Sequence, residues 1–211
     1  NSLLFLSLLR SLFTCTSTVL SLLSVLTYDI ISIYYQFVLR SKMKEYICKI
    51  ASIDEVITKW NYEIKKQKRK QMKSALELVK NNAVENIKNG QAVTYYGKLN
   101  HKIICQATAM FDEDIIQNSD GLVGTKTVYL CNFSTDKKHQ GKGYFSKLFK
   151  FVIEDLKNKG YTKCTLGVEP KETKNLQIYR HYGFNTLIKS GHETYPDGTI
   201  IDVDYYEMEL D

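Results

Sequence analysis

The stretch STDKKHQGKGYFSKLF, residues 134–149, concentrates the groups best placed to do chemistry. Gly141 and Gly143 stand between a strand-like run and a helix-like run, with Lys137, Lys138, His139, Lys142 and Lys147 around them. At such a junction the first backbone N–H groups of the helix have no partner, and the helix dipole adds partial positive charge. The two glycines let the backbone approach a ligand with no Cβ in the way. The natural guest is an anion, a pyrophosphate above all, and the lysines add screened charge around it. A kinase-type P-loop is excluded, because it needs four residues between its glycine and Gly-Lys-Ser/Thr. A dinucleotide fingerprint is excluded as well. It needs a third glycine where Ser146 stands, and a turn that follows the first strand of its unit.

The turn works only if the surrounding elements hold it at a sheet edge, and the rest of the chain supplies them. EYICKI predicts a short strand, followed by SIDE at residues 52–55, which has capping-box form and predicts a helix start. That helix carries Val56, Ile57, Trp60 and Ile64 at helical spacing. A second helix runs to NIKNG, where Gly90 is a natural stop. AVTYYGKLN and KIICQATAMF read as a hairpin, DEDIIQNSDG as an acidic loop and TKTVYLCNFST as a long strand. The helix after the glycine turn presents Phe145, Leu148, Phe149, Val152, Ile153 and Leu156 on one face and ends at Gly160. YTKCTLGV is a fifth strand, TKNLQIYRHYGF a short helix ended by Gly183, and NTLIKSG with TIIDVDYYEMEL a final strand pair. The order β-α-α-β-β-β-α-β-α-β-β predicts an α/β (α+β) fold: a mixed sheet with helices on both faces.

Composition bounds the function without choosing it. The 211 residues carry a net charge of +6, which suits an anionic small ligand as well as nucleic acid. The densest basic run, KKQKRKQMK at residues 65–73, has two readings: a nucleic-acid or membrane patch, or a solvated helix end. No aromatics interleave to stack bases, which favours the second. The five cysteines are widely spaced, with no CxxC pair, so free thiols in a reducing compartment are expected. Residues 1–42 differ from the rest: SLFTCTSTVLSLLSVLTY is uncharged and about as long as a membrane span, yet crowded with Ser and Thr. It makes a poor signal peptide. Three readings stand for it: a non-native or upstream-translated extension, a membrane anchor, or a packed helix. The first is preferred, with residues 43–211 as the functional domain.

QGKGYF, residues 140–145, resembles the Gln/Arg-x-x-Gly-x-Gly/Ala turn of the GCN5-related N-acetyltransferase (GNAT) family. That family has the same strand and helix order. It also places an Asn-Phe/Leu-x-Val strand end before the turn, matched by Asn132, Phe133, Ser134 and Thr135. Its Leu/Ile-Tyr-x-x-x-Gly-Phe signature is matched by Ile178, Tyr179, Gly183 and Phe184. The likeness covers roughly residues 45–210. It implies a sheet with splayed central strands and an N-acetyltransferase that moves acetyl from acetyl-CoA to a primary amine in a ternary complex, with no metal.

The resemblance also implies roles for residues. The pyrophosphate of acetyl-CoA would lie on the N–H groups of Gln140, Gly141, Lys142, Gly143, Tyr144, Phe145 and Ser146. The strand end Phe133, Ser134, Thr135 would splay from the fifth strand near Gly167 and Val168 and pair with the pantetheine arm. Tyr179 would protonate the departing thiolate. Two departures stand out. Phe145 replaces a small residue, so its side chain must turn into the core. Glu172 stands where the family has an asparagine for the pantetheine, and Asn175, a helical turn later, is the substitute. The base that takes the amine proton is not evident. Glu169 is one candidate, and His192 and Glu193, in the loop before the last strand, are others. The expected partners are acetyl-CoA and a small amine or peptide acceptor, in the cytoplasm. No nucleic acid is expected, a membrane only if residues 1–42 are an anchor, and a homodimer is left open. Two further function classes stay in view: a catalytically silent acyl-CoA-binding regulatory domain, and a nucleic-acid or membrane-surface binder using residues 65–73.

Overall fold

The computed structural model describes residues 45–195 and 197–210, so the expectations for residues 1–42 lie outside the described residues. Seven strands and four helices follow the expected order: β1 (Tyr46–Ile50), α1 (Ile53–Lys66), α2 (Lys70–Lys88), β2 (Ala92–Leu99), β3 (Lys102–Met110), β4 (Thr127–Thr135), α3 (Tyr144–Asn158), β5 (Lys163–Val168), α4 (Thr173–Tyr182), β6 (Thr186–Thr194) and β7 (Ile200–Glu209). They form one mixed sheet in the order β1-β2-β3-β4-β5-β7-β6. Every neighbouring pair is antiparallel except β4 with β5.

Local chemistry accounts for the punctuation. At α1 both arms of the capping box are made, with the Ser52 hydroxyl accepting from the Glu55 N–H and the Glu55 carboxylate accepting from the Ser52 N–H. The β2–β3 hairpin turns on Asn100 and His101, both at positive φ, as a two-residue turn matched to strand twist requires.

The core sits on both faces of the sheet. On one face α3 buries Leu148, Phe149, Val152 and Leu156 against Tyr95, Leu130 and Leu166. At roughly 1.5–3 kcal/mol for each buried side chain, before entropic costs, these four hold the start of α3 at a fixed place on the sheet. On the other face α1 and α2 cover Tyr96 and Ala51 through Val56, Trp60, Val84 and Ile87. A further cluster on that face, Leu122, Tyr129, Val203 and Tyr205, lies over β4, β5 and β7.

One expectation needs adjusting. His192 and Glu193 are not in a loop: β6 runs on to Thr194, pairing His192 with Asp202 and Glu193 with Ile201. The run was hidden because its inward positions, Gly191 and Glu193, meet polar atoms and tyrosine rings rather than aliphatic side chains. The basic run 65–73 spans the end of α1, the connection and the start of α2, and its lysines are solvated there. A hollow of about 620 Å³ beside it, lined by Glu63, Lys66, Gln67, Lys68, Arg69 and Leu76, faces solvent far along the chain from the glycine turn. The four described cysteines are free thiols. No described helix is long and apolar enough to cross a membrane.

Candidate active site

The site grows from a defect in the sheet. β4 and β5 pair only at Thr127–Lys163, Val128–Cys164 and Tyr129–Thr165. Beyond Tyr129, β4 stays on β3 as far as Thr135, while β5 stays on β7 as far as Val168. The two strands therefore part, and each presents an unpaired backbone edge to the gap. Within the parted stretch β4 carries an extra residue relative to β3: Cys131 pairs with Thr108 and Ser134 with Gln106. Asn132, at φ 55°, is the bulged residue.

The glycine turn closes one end of this gap. Gly141 and Gly143 have φ of 70° and 76°, and a Cβ at either would meet no atom within 4 Å. Gly143 is the N-cap of α3, with no side chain capping it. The backbone N–H groups of residues 141–146 donate to no acceptor among the described residues; the first helical bond runs from Lys147 N–H to the Gly143 carbonyl at 3.2 Å. Six unpartnered amides thus lie in sequence at a positive helix end with open space beside Gly141 and Gly143, an arrangement suited to a diphosphate.

Side chains brace the turn. The Gln140 amide donates to the Thr135 carbonyl at 3.0 Å, and the Lys142 ammonium to the Lys138 carbonyl at 2.7 Å. Ser146 and Tyr182 share a hydrogen bond of 2.8 Å. The Tyr46 hydroxyl, from the edge strand β1, donates to the Tyr144 carbonyl in the first turn of α3 at 2.7 Å. Phe145 turns inward, its ring 5.4 Å from that of Phe133 and 6.2 Å from that of Phe149.

Tyr179 stands on α4 with its ring 5.6 Å from Phe133 of β4, so it flanks the parted strands. Its hydroxyl has no protein partner among the described residues. Burial, helped by the nearby Glu172 carboxylate, pushes its pKa up to about 12. It is therefore protonated at neutral pH and has a proton to donate. Asn175 does not face the gap freely: its amide donates to the Glu172 carboxylate.

The sequence model of the acetyltransferase (GNAT) family matches residues 59–184. The chain belongs to that family. Solved GNAT-type folds agree. An IAA acetyltransferase from Bacillus cereus superposes with a TM-score of 0.51 at 16% identity, covering 79% of this chain and 100% of that one. The ribosomal-protein-S18-alanine N-acetyltransferase from Escherichia coli gives a TM-score of 0.56 at 14% identity, covering 79% and 95%. The yncA protein of Salmonella typhimurium, solved with its cofactor acetyl-CoA, gives 0.52 at 15%, again covering 79% and 95%. At these identities the likeness establishes the fold. No curated protein sequence matches the chain.

The GNAT site contains more carboxylates than the glycine turn suggests. Glu169, just past β5, accepts from the Tyr195 hydroxyl at 3.1 Å and forms an ion pair with Lys171. The Lys171 ammonium holds its carboxyl below the usual range, which weakens it as a proton acceptor. His192 is an exposed side chain paired with Asp202 at 2.8 Å. Glu193 points to the other side of β6, where its carboxylate accepts from Tyr205 and Tyr129. Tyr129 and Tyr205 had no signal of their own among 15 tyrosines. Gly167 was the available clue, since a glycine inside a strand often marks a close approach. A Cβ there would lie 3.0 Å from the Tyr129 hydroxyl and 2.8 Å from Val203. Among the described residues no group of three or more His, Cys, Asp or Glu side chains could hold a metal ion.

Proposed function

We propose that this chain is an N-acetyltransferase that moves an acetyl group from acetyl-CoA to a primary amine in a ternary complex, with residues 43–211 as the working domain. The observation that carries the reading is the gap between β4 and β5 opening onto six unpartnered amides at the start of α3. The open edges of β4 and β5 and the open space beside Gly141 and Gly143 fit acetyl-CoA. Acetyl-CoA would supply an activated thioester.

The residues divide the work. The N–H groups of residues 141–146 hold the diphosphate, with Lys137, Lys138 and Lys142 adding charge that salt screens. The free edge at Phe133, Ser134 and Thr135 binds the pantetheine amides as a further strand would, and a backbone N–H of that edge polarises the thioester carbonyl. Phe133 and Phe145 pack under the turn and keep water from the strand end. Tyr179 gives its proton to the departing sulfur. Asn175, once released from Glu172, reaches the pantetheine.

Thiol release from acetyl-CoA across a panel of primary amines tests this directly. The panel holds a peptide with a free N-terminus, an N-terminally blocked lysine peptide and an aliphatic diamine. Amine-dependent release is expected. Acetyl-CoA binding with no release for any amine would leave a silent acyl-CoA-binding domain instead. Failure to bind CoA at all would remove the reading.

A further inference from the structure

We propose that Glu193 is the base that takes the proton from the acceptor amine, an inference that rests on the acetyl-transfer reading above. Its carboxylate is held in an unusual way. Oε1 accepts from the Tyr205 hydroxyl at 2.9 Å and from the Tyr129 hydroxyl at 3.5 Å. The Tyr205 oxygen itself accepts from the Asn118 amide at 3.2 Å, which directs the Tyr205 proton toward the carboxylate. Oε2 has no partner among the described residues, and no buried side-chain oxygen or nitrogen there lacks one, so Oε2 is open to solvent. One oxygen is fixed and the other is left to accept a proton.

The placement is at the gap. Tyr129 is the last residue of β4 that pairs with β5. Its hydroxyl stands over Gly167, two residues beyond that last pair. A side chain at Gly167 would displace the hydroxyl and with it one of the two ties on Glu193. The carboxylate therefore lies against the β5 lip of the gap, on the sheet face opposite α3 and α4. Tyr179 lies on the α4 face, so the base and the acid approach the gap from opposite sides.

The surroundings keep the group available. The titratable groups facing Glu193 are Tyr129 and Cys131 from β4, Tyr205 from β7 and Tyr195 just beyond β6. All four are pushed up, chiefly by burial, the Cys131 thiol to about 12 with help from the Glu193 charge, so all are neutral near pH 7. No cation is paired with Glu193 among the described residues, in contrast to Glu169 and its Lys171 partner. The proton balance closes. Glu193 takes one proton from the neutral amine as the N–C bond forms and the C–S bond breaks with its electron pair left on sulfur. Tyr179 gives one proton to that sulfur, and solvent restores both residues.

The test is Glu193→Gln in the full chain, because glutamine can still accept from Tyr205 and Tyr129. With the amine panel above, kcat should fall about 10²-fold or more. The wild type is expected to lose kcat at low pH, and that limb should vanish in the variant, while calorimetric CoA affinity and Tm stay unchanged. A purely structural role would move Tm and leave the limb in place. If the glutamine variant does not fold, Tyr129→Phe carries the test, with a several-fold loss of kcat and an unchanged KM for acetyl-CoA expected. A variant that keeps both the wild-type kcat and the limb overturns the role of Glu193 alone. A wild type that releases no thiol overturns the acetyl-transfer reading and this inference with it.

Discussion

Alanine at Gly143 and alanine at Gly90 form a matched pair that isolates what the glycine turn does. Gly143 has φ 76° and Gly90 φ 74°, and at both an added Cβ meets nothing within 4 Å. Each substitution therefore costs only the backbone strain of a left-handed L-residue, about 1–2 kcal/mol. For a domain of this size that lowers Tm by about 2–4 °C per kcal/mol, and the two variants should melt alike. Ligand binding should separate them. Gly90 follows α2, whereas Gly143 lies amid the unpartnered amides at the start of α3. A Cβ at Gly143 occupies the approach to those amides, so calorimetric affinity for CoA should fall at least tenfold, about 1.4 kcal/mol. Gly90→Ala should bind CoA as the wild type does. A folded Gly143→Ala that keeps wild-type affinity would refute the assignment, and equal losses in both variants would trace the effect to strain.

Other perturbations probe the parts around the turn. Tyr179→Phe should lower kcat and kcat/KM alike by roughly 10²-fold with little change in the KM for acetyl-CoA, since it removes a donor used only as the thiolate leaves; steady-state kinetics with an untouched kcat would make Tyr179 a packing residue. Tyr46→Phe removes the 2.7 Å bond to the Tyr144 carbonyl and should weaken CoA binding by roughly five-fold, about 1 kcal/mol, by calorimetry. Glu55 should leave a mark on acid stability. Burial alone would raise its pKa, but Lys98, the Ser52 N–H and Lys49 outweigh it and bring the value from 4.5 to about 2. A depressed carboxylate contributes its stability fully above about pH 4.5 and loses it as pH falls toward 2. Glu55→Gln should therefore cost about 1 kcal/mol at neutral pH, since solvent screens these pairs, and flatten the fall of Tm across that window.

How much of this was legible in the sequence depends on whether a feature is local. The glycine turn, the capping box at Ser52 and the inward face of α3 are written in consecutive residues, and the strand and helix order followed from them. The parting of β4 from β5 is not local. It shows only in a pairing that stops at Tyr129–Thr165, and its companion, the bulge at Asn132, depends on the register with β3. The end of β6 was missed because SGHET alternates small and polar residues whose inward members meet tyrosines. The Tyr129–Glu193 contact spans 64 positions, and only Gly167, a glycine inside an apolar strand, hinted that something lies across β5 there.

The parted strands explain why the candidate groups come from both faces. In an unbroken sheet the backbone ladder separates the two sides, and a carboxylate on one face could not share a reacting centre with a phenol on the other. Here β4 is bent by one extra residue while β5 remains fixed to β7, which leaves a slot through the sheet at the height of Phe133 and Gly167. Tyr179 reaches that slot from α4 by packing on Phe133, and Glu193 reaches it from β6 by its tie to Tyr129. Filling the slot should therefore uncouple chemistry from binding. Gly167→Val would drive a side chain into the space held by Val203, Tyr129 and Tyr205, with contacts of 2.8 to 3.1 Å already at its Cβ. No residue of the glycine turn is among those contacts. CoA affinity should stay near the wild-type value while acetyl transfer is lost. Loss of both together, in a protein that still melts cooperatively, would mean that the two ends of the slot are not independent.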